Sequence, residues 1–481
     1  MKTLIETLFE LLITLVKGIF ELICFIFQVN TNEKLYDHSQ MLGKDKRKLF
    51  SRFNRGLLVN GKKRIPLKLS VTHTSILGAS GRGKTSSFFI PNLLKAHNQP
   101  FIVTDLDGGI FKDTSGYLAR KGYLIQCIDF KNVTKSVLFN PITLCLTDDD
   151  LKALSEEIIT SSNASGGSDK FWEFSSIHLL YLLLRLVKTH ELEYQNLSNV
   201  RHLLTLMETP EFSEFVANHT NGTLWNDYLS FKTKDVKLRT SIEASLSATL
   251  DLFSYAEISH ITSGNTLDFA RLIQPKSILY IKIPEIKLER YSLLISILYA
   301  QIFKYIQTNR PKKPVFFLLD EAGNYKIKNL STLLSILRKH NASISIGLQD
   351  ISQLKDLYNQ EQANIIINNT STKIIYPGAS LSLAQEVSKI AGQKSVEVLF
   401  EGKVLSQVKP VLTSTEIIQM KQNRALFLVS NFPPVILRMF PYFKQFRLKR
   451  RSKIKPLEMP ESNFITPLLI PLTKNSYDEE N

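Results

Sequence analysis

Cysteine is nearly missing from this chain. The 481 residues hold three, Cys24, Cys127 and Cys145, far apart and odd in number, which excludes a disulfide framework and a C-x-x-C zinc or redox pair. The nine histidines make no H-E-x-x-H and no cluster with metal-ligand spacing, so a nuclease or other metal enzyme acting on a partner molecule is not encoded. Acid is the minority charge: 44 Asp and Glu face 60 Lys and Arg, a formal net charge of +16. That balance disfavours basic partners and favours a polyanion, either nucleic acid or an anionic membrane face. No internal repeat marks the chain as a solenoid. A reducing cytoplasm suits the cysteine usage.

A clean, uncharged hydrophobic run of spanning length is also lacking. The opening "MKTLIETLFELLITLVKGIFELICFIFQV" is strongly apolar yet carries Glu6, Glu10, Lys17 and Glu21. On a helix these four fall within about a 60° arc, leaving one charged stripe and a wide apolar face. The apolar residues favour insertion by roughly 8 kcal/mol and the charges oppose it by roughly 8 to 12. With no small-residue cleavage site, a signal peptide is excluded. Residues 1–30 are expected to bind a membrane surface as a helix that lies flat or inserts with partners. The cluster "KDKRK" at 44–48 suits a cytoplasmic leaflet.

What is present begins with "SILGASGRGKTSSFFIPNLL", residues 75–94, which fits G-x-x-x-x-G-K-[ST]. "THTSIL" before it reads as a strand and "TSSFFIPNLLKA" after it as a helix start, the context that makes this pattern a phosphate loop. Gly78, Ala79, Ser80, Gly81, Arg82, Gly83, Lys84, Thr85 and Ser86 form the candidate nucleotide cradle. Backbone N–H groups and the helix end would hold a polyphosphate, Lys84 would reach its outer phosphates and Thr85 would ligate Mg2+. Far downstream, "FFLL" at 316–319 ends in Asp320 and Glu321. A buried strand can hold the first acid beside Mg2+ while the second polarises water. Gln349 in "GLQD" sits at the end of the next apolar run, where a neutral donor can sense the third phosphate. Between them "STLLSILRKHNAS" is a helix that ends in Arg338, Lys339 and His340. Ring-forming motors send such an arginine into a neighbour's site.

The pattern along the chain predicts an α/β protein. Strand and helix alternate from about 70 to 142, helices alone fill 143–268, and strands return at 277–283, 314–322, 342–350 and 371–378. The expected division is a membrane-associated or amphipathic helix at 1–30, a basic linker with first strands at 31–69, and an α/β ATPase domain in two parts, 70–142 and 269–445. An all-α domain is inserted at 143–268, and a basic, then acidic tail occupies 446–481.

The ordered series "GASGRGKTSSFFIPNLL", "TDLDGGIFKDTSGYLARKGY", "FNPI", "KFWEFSSIHLL", "LYIKIP", "FFLLDEAGN", "LLSILRKHNASISIGLQDISQLKDLY", "NIIINNTSTKIIYPG" and "RALFLVSNFPPVILRMFPYF" resembles the coupling proteins of type IV secretion, the TraG-type conjugative DNA-transfer ATPases, over roughly residues 70–445. The resemblance implies a RecA-like P-loop ATPase domain with an inserted all-α domain, binding of ATP and Mg2+, and a homo-hexamer. It also implies delivery of DNA with its relaxase, or of secreted protein cargo, to type IV secretion channel components at the cytoplasmic side of the cell membrane. By position, Asp320 and Glu321 become the Walker B acids, Gln349 the sensor and Arg338 the arginine finger. The chain departs from the family in having "DLDGG", Asp105 to Gly109, for a common D-P-K-G-E, and one charged-stripe helix for two clean membrane spans. Two other readings use the same motor residues: a cytoplasmic DNA translocase of the FtsK and HerA kind, and a scaffold that binds nucleotide only to assemble.

Overall fold

The computed structural model describes residues 48–51, 53–162, 170–219, 222–400, 403–429 and 432–472. The apolar helix expected over residues 1–30 lies outside them. Among the described residues no helix is long and apolar enough to cross a membrane.

The frame is a nine-stranded sheet of order β11-β10-β7-β1-β6-β5-β2-β4-β3. Its strands are β1 Thr74–Leu77, β2 Phe101–Leu106, β3 Leu124–Asp129, β4 Ser277–Ile283, β5 Val315–Leu319, β6 Ala342–Leu348, β7 Thr372–Ile375, β10 Arg424–Val429 and β11 Phe432–Arg438. From β7 to β3 all neighbours pair in parallel. β10 runs antiparallel to both β7 and β11. A separate antiparallel hairpin joins β8 Gln393–Phe400 to β9 Lys403–Pro410.

These strands read as continuous apolar runs because both faces are covered. Phe101, Val103, Phe316, Leu318 and Ile374 pack into one core, against the helices Ile90–Leu94 and Gly109–Arg120. Ile102, Phe317, Leu319, Ile344 and Ile346 pack into the other with the helices Leu288–Asn309, Leu330–Leu337 and Ser352–Asn369. A parallel sheet buried on both sides has no polar face to alternate with. β11 begins Phe432, Pro433, Pro434 and lies at the sheet's edge, the place where proline removes no ladder bond.

Between β3 and β4 the described chain is helical, from Asp148–Ser162 and Lys170–Lys188 through Val236–Leu250 to Phe269–Leu272. Residues 453–472 run without helix or strand along the body. The Leu457 N–H donates to Ser115 Oγ at 3.0 Å, Ser462 N–H to the Thr134 carbonyl at 2.8 Å and Ile470 N–H to Asn199 Oδ1 at 2.9 Å. Phe464 stacks on His260 at 4.7 Å between ring centres. The segment therefore joins the helix beside β2 to the helices inserted after β3.

Candidate functional site

Sheet register sets the site. Leu77 of β1 pairs with Leu348 of β6, and Ile346 of β6 with Leu319 of β5, so three strands end nearly level. Loops at the carboxyl ends of such a sheet form its ligand crevice.

The loop after β1 turns through positive φ at Gly78, Gly81 and Gly83 (150°, 71° and 97°). Gly78 has a second constraint, since a Cβ there would lie 2.5 Å from Cβ of Tyr376. The next residues, Thr85–Phe89, make a π-type turn before the α-helix Ile90–Leu94. Pro91 has no N–H to give to the turn behind it, which explains a change of winding there.

Lys84 is buried; its Nζ donates to the Gly78 carbonyl at 2.6 Å and to that of Ala79 at 3.3 Å. Burial lowers its pKa, and the charges of Asp320 and Glu321 oppose that. Thr85 Oγ1 donates to Asp320 Oδ2 at 2.5 Å. Burial raises the Asp320 carboxyl to about 6, with the Thr85 hydrogen bond and Lys84 pulling the other way. Glu321 follows in a left-handed conformation, φ 51°, and its N–H donates to Asp320 Oδ1 at 3.1 Å. Gly81, Gly83, Lys84, Thr85, Ser86 and Glu321 line one cavity of about 210 Å³. A hydroxyl and a carboxylate are hard oxygen donors of the kind Mg2+ accepts. Unpaired loop N–H groups beside a lysine suit phosphate.

Gln349 lies one residue beyond Leu348, whose carbonyl accepts the Gly78 N–H at 3.2 Å. The backbone N–H of Gln349 donates to Gln353 Oε1 at 2.9 Å, and that of Asp350 reaches the same oxygen at 3.4 Å. Gln353 Nε2 points back to Asn324 Oδ1, 3.5 Å away. A Cβ on Gly323 would collide with the Gln353 side chain. Gln353 thus ties the loop after β6 to the loop after β5. Gly347 leaves the room that Asp320 and Phe89 occupy, each 3.0 Å from where its Cβ would stand. Neither Gln353 nor Gly347 belongs to a motif legible in the sequence; a glycine inside the apolar run "ASISIGL" is the one local signal.

Arg338 is not brought to this cavity. It is exposed and precedes β6 at its amino end, while Gln349 follows its carboxyl end. Seven residues of β6 separate them, roughly 20 Å at about 3.3 Å per residue. Near Arg338, buried His73 donates from Nε2 to the Leu334 carbonyl at 2.7 Å and accepts the Ile344 N–H on Nδ1 at 3.0 Å.

The departing "DLDGG" loop has a structural task. Asp105 is buried, and its carboxylate accepts the N–H groups of Ile110 and Phe111 at 2.9 and 2.6 Å, capping the helix Gly109–Arg120. Burial lifts it to about 7, against those hydrogen bonds. Asp107 and Gly108 line a neighbouring cavity of about 240 Å³ with Lys112, Lys131 and Lys282.

The chain belongs to the family described as type IV secretory system conjugative DNA transfer, whose profile matches residues 29–465. It is 20% identical over 415 residues to "Protein VirD4" of Rhizobium radiobacter, a match spanning 81% of this chain and 59% of that one. Across the VirD4 relatives it spans 36 to 64% of their length. Its fold is similar to that of the bacterial conjugative coupling protein TrwBdeltaN70, with a TM-score of 0.67 and 15% identity over 83% of this chain and 91% of that one. The plasmid coupling protein TrwB in complex with ADP and Mg2+ gives a TM-score of 0.66 at 15% identity, over 83% and 92%.

Proposed function

We propose that this chain is an ATP-driven motor of RecA-like build that couples DNA with its relaxase, or protein cargo, to a type IV secretion channel. The observation that carries the reading is the hydrogen bond of Thr85 to Asp320, which joins the two halves of a nucleotide site across 235 positions. Lys84 swings from the Gly78 carbonyl to the outer phosphates of ATP, and the loop N–H groups of Ala79 to Ser86 hold the rest. Thr85 and Asp320 hold Mg2+, which when bound supplies charge neutralisation at the phosphates. Glu321, at the cavity wall, orients and polarises water, and Gln349, positioned through Gln353, senses the third phosphate. A TrwB structure that contains ADP and Mg2+ supports this nucleotide and metal.

Arg338 acts in a neighbouring subunit of a homo-hexamer, since it stands at the opposite edge of the sheet from its own cavity. Membership in a conjugative-transfer family favours this reading over a FtsK- or HerA-like translocase and over a scaffold. The working location is the cytoplasmic face of the cell membrane. ATP turnover measured with and without single- and double-stranded DNA, alongside particle size, tests the proposal. Stimulation by DNA in a ring-sized particle is expected. Turnover indifferent to DNA leaves protein as the cargo, and no turnover at all overturns the motor.

A further inference from the structure

The helix Phe446–Ser452 buries Leu448 and leaves Phe446, Arg447, Lys449 and Arg450 in water. Phe446 is 82% exposed, and Phe443, one turn before it, 47%. Two bare phenylalanines among cations are costly in solvent and suit the boundary between headgroups and acyl chains.

The surroundings of this helix are basic too. Lys95 Nζ lies 3.4 Å from Gln445 Oε1 and donates to the Gly61 carbonyl at 3.0 Å. Arg64 reaches the Lys95 carbonyl at 2.5 Å, and Arg451 reaches that of Leu94 at 2.6 Å while lying over the Tyr117 ring. Lys62 lies over Phe440 at 4.0 Å. Burial lowers Lys95 to about 8, and the charges of Arg64, Lys62 and Arg451 act in the same direction. Asp113, on the adjoining helix, is engaged by the Tyr442 hydroxyl.

The path of the chain says what faces this surface. Asn54 Nδ2 donates to the carbonyls of both Leu49 and Arg64, at 2.9 and 3.1 Å. The described body therefore starts beside the basic cluster, and the sequence just upstream holds "KDKRK" and the apolar run of residues 4–28. Lys95 and Lys121 follow helices that return to the amino edge of the sheet, opposite the nucleotide cavity.

We infer that the face built by Phe443, Phe446, Arg447, Lys449 and Arg450, flanked by Lys62, Arg64 and Lys95, is a docking surface for an anionic phospholipid bilayer. It adds a second, charge-selective contact to whatever the amino-terminal segment supplies, and orients the sheet with its nucleotide edge away from the lipid. This inference does not rest on the motor reading, because it uses none of that site's residues.

The test is flotation of the full-length chain with vesicles of phosphatidylcholine alone and with about one third phosphatidylglycerol. The native chain should bind the anionic vesicles at least tenfold more tightly, a preference that fades as salt rises. Arg447→Glu with Lys449→Glu and Arg450→Glu should abolish the preference and leave binding to neutral vesicles and basal ATP turnover unchanged. Phe443→Ser with Phe446→Ser, which adds no charge, should weaken anionic binding several-fold at the same thermal midpoint. An anionic preference that survives both variants overturns the inference. If it survives while single-stranded DNA binding collapses in the charge variant, the face belongs to nucleic acid instead.

Discussion

The hydroxyl of Thr85 lies 2.5 Å from the carboxylate of Asp320, with Lys84 and Glu321 on the wall of the same cavity. If Lys84 holds the phosphates as proposed, Lys84→Ala should weaken ATP binding at least 100-fold, about 3 kcal/mol for a desolvated charge-assisted contact. Glu321→Gln should bind ATP as the native chain does and lose turnover by about 100-fold or more, since the proposed role of Glu321 is confined to activating water. Nucleotide binding by fluorescence and phosphate release measured on both variants separate the two roles; hydrolysis at a normal rate by Glu321→Gln removes that residue from the chemistry.

Arg338 is exposed at the amino end of β6, so Arg338→Ala should change stability by less than about 0.5 kcal/mol. ATP binding should persist and turnover fall about a thousandfold, the effect of losing an arginine finger. Mixing the variant with Lys84→Ala protein should restore part of the activity through hybrid interfaces. Mixed rings as inactive as their parents would exclude action between subunits.

Gln353 holds the N–H groups of Gln349 and Asp350 on one oxygen. Gln353→Ala leaves them without that acceptor, at about 1 to 3 kcal/mol, and frees the loop after β6. Turnover should drop tenfold or more while the ATP Kd shifts less than about threefold. Gln353→Glu keeps the acceptor oxygen and should keep most of the rate, whereas Gln353→Met fills nearly the same space without that acceptor and should lose rate as Gln353→Ala does.

His73 uses both ring nitrogens as a neutral imidazole, and burial lowers its pKa to about 4 from 6.5. Between these values the unfolded chain binds more protons than the folded one. Stability is therefore full above pH 6.5 and declines as pH falls toward 4, by up to about 3 kcal/mol. Thermal midpoints across that range should fall more steeply for the native chain than for His73→Gln. The variant should start lower at neutral pH, by about 1 to 3 kcal/mol.

Much of the α/β frame is legible in the residues. "SILYIKI" became β4 over the span read from sequence, Ser277–Ile283, and "FFLL" lies in β5 ahead of its two acids. Both are buried parallel strands, whose lack of a solvent face leaves a plain apolar signature. β11 is not legible from pattern, because an edge strand with two prolines near its start reads as a turn. Residues 453–472 carry tail-like composition, yet their backbone N–H groups find partners on Ser115, Thr134 and Asn199. Such pairings are far apart in sequence and leave no local trace.

Local chemistry alone determined the glycine-rich turn after β1, the acid-tipped strand and the alternation of strand with helix, since spacing within a dozen residues encodes each of them. Tertiary structure decided that β6 separates β1 from β5, that Gln353 bridges two site loops, that Arg338 stands at the opposite end of β6 from the cavity and that the carboxyl-terminal basic run adjoins the start of the body. Those facts depend on strand order and on contacts between residues tens to hundreds of positions apart. They are fixed by which apolar faces cover one another when the chain collapses, and no short window of sequence contains that information.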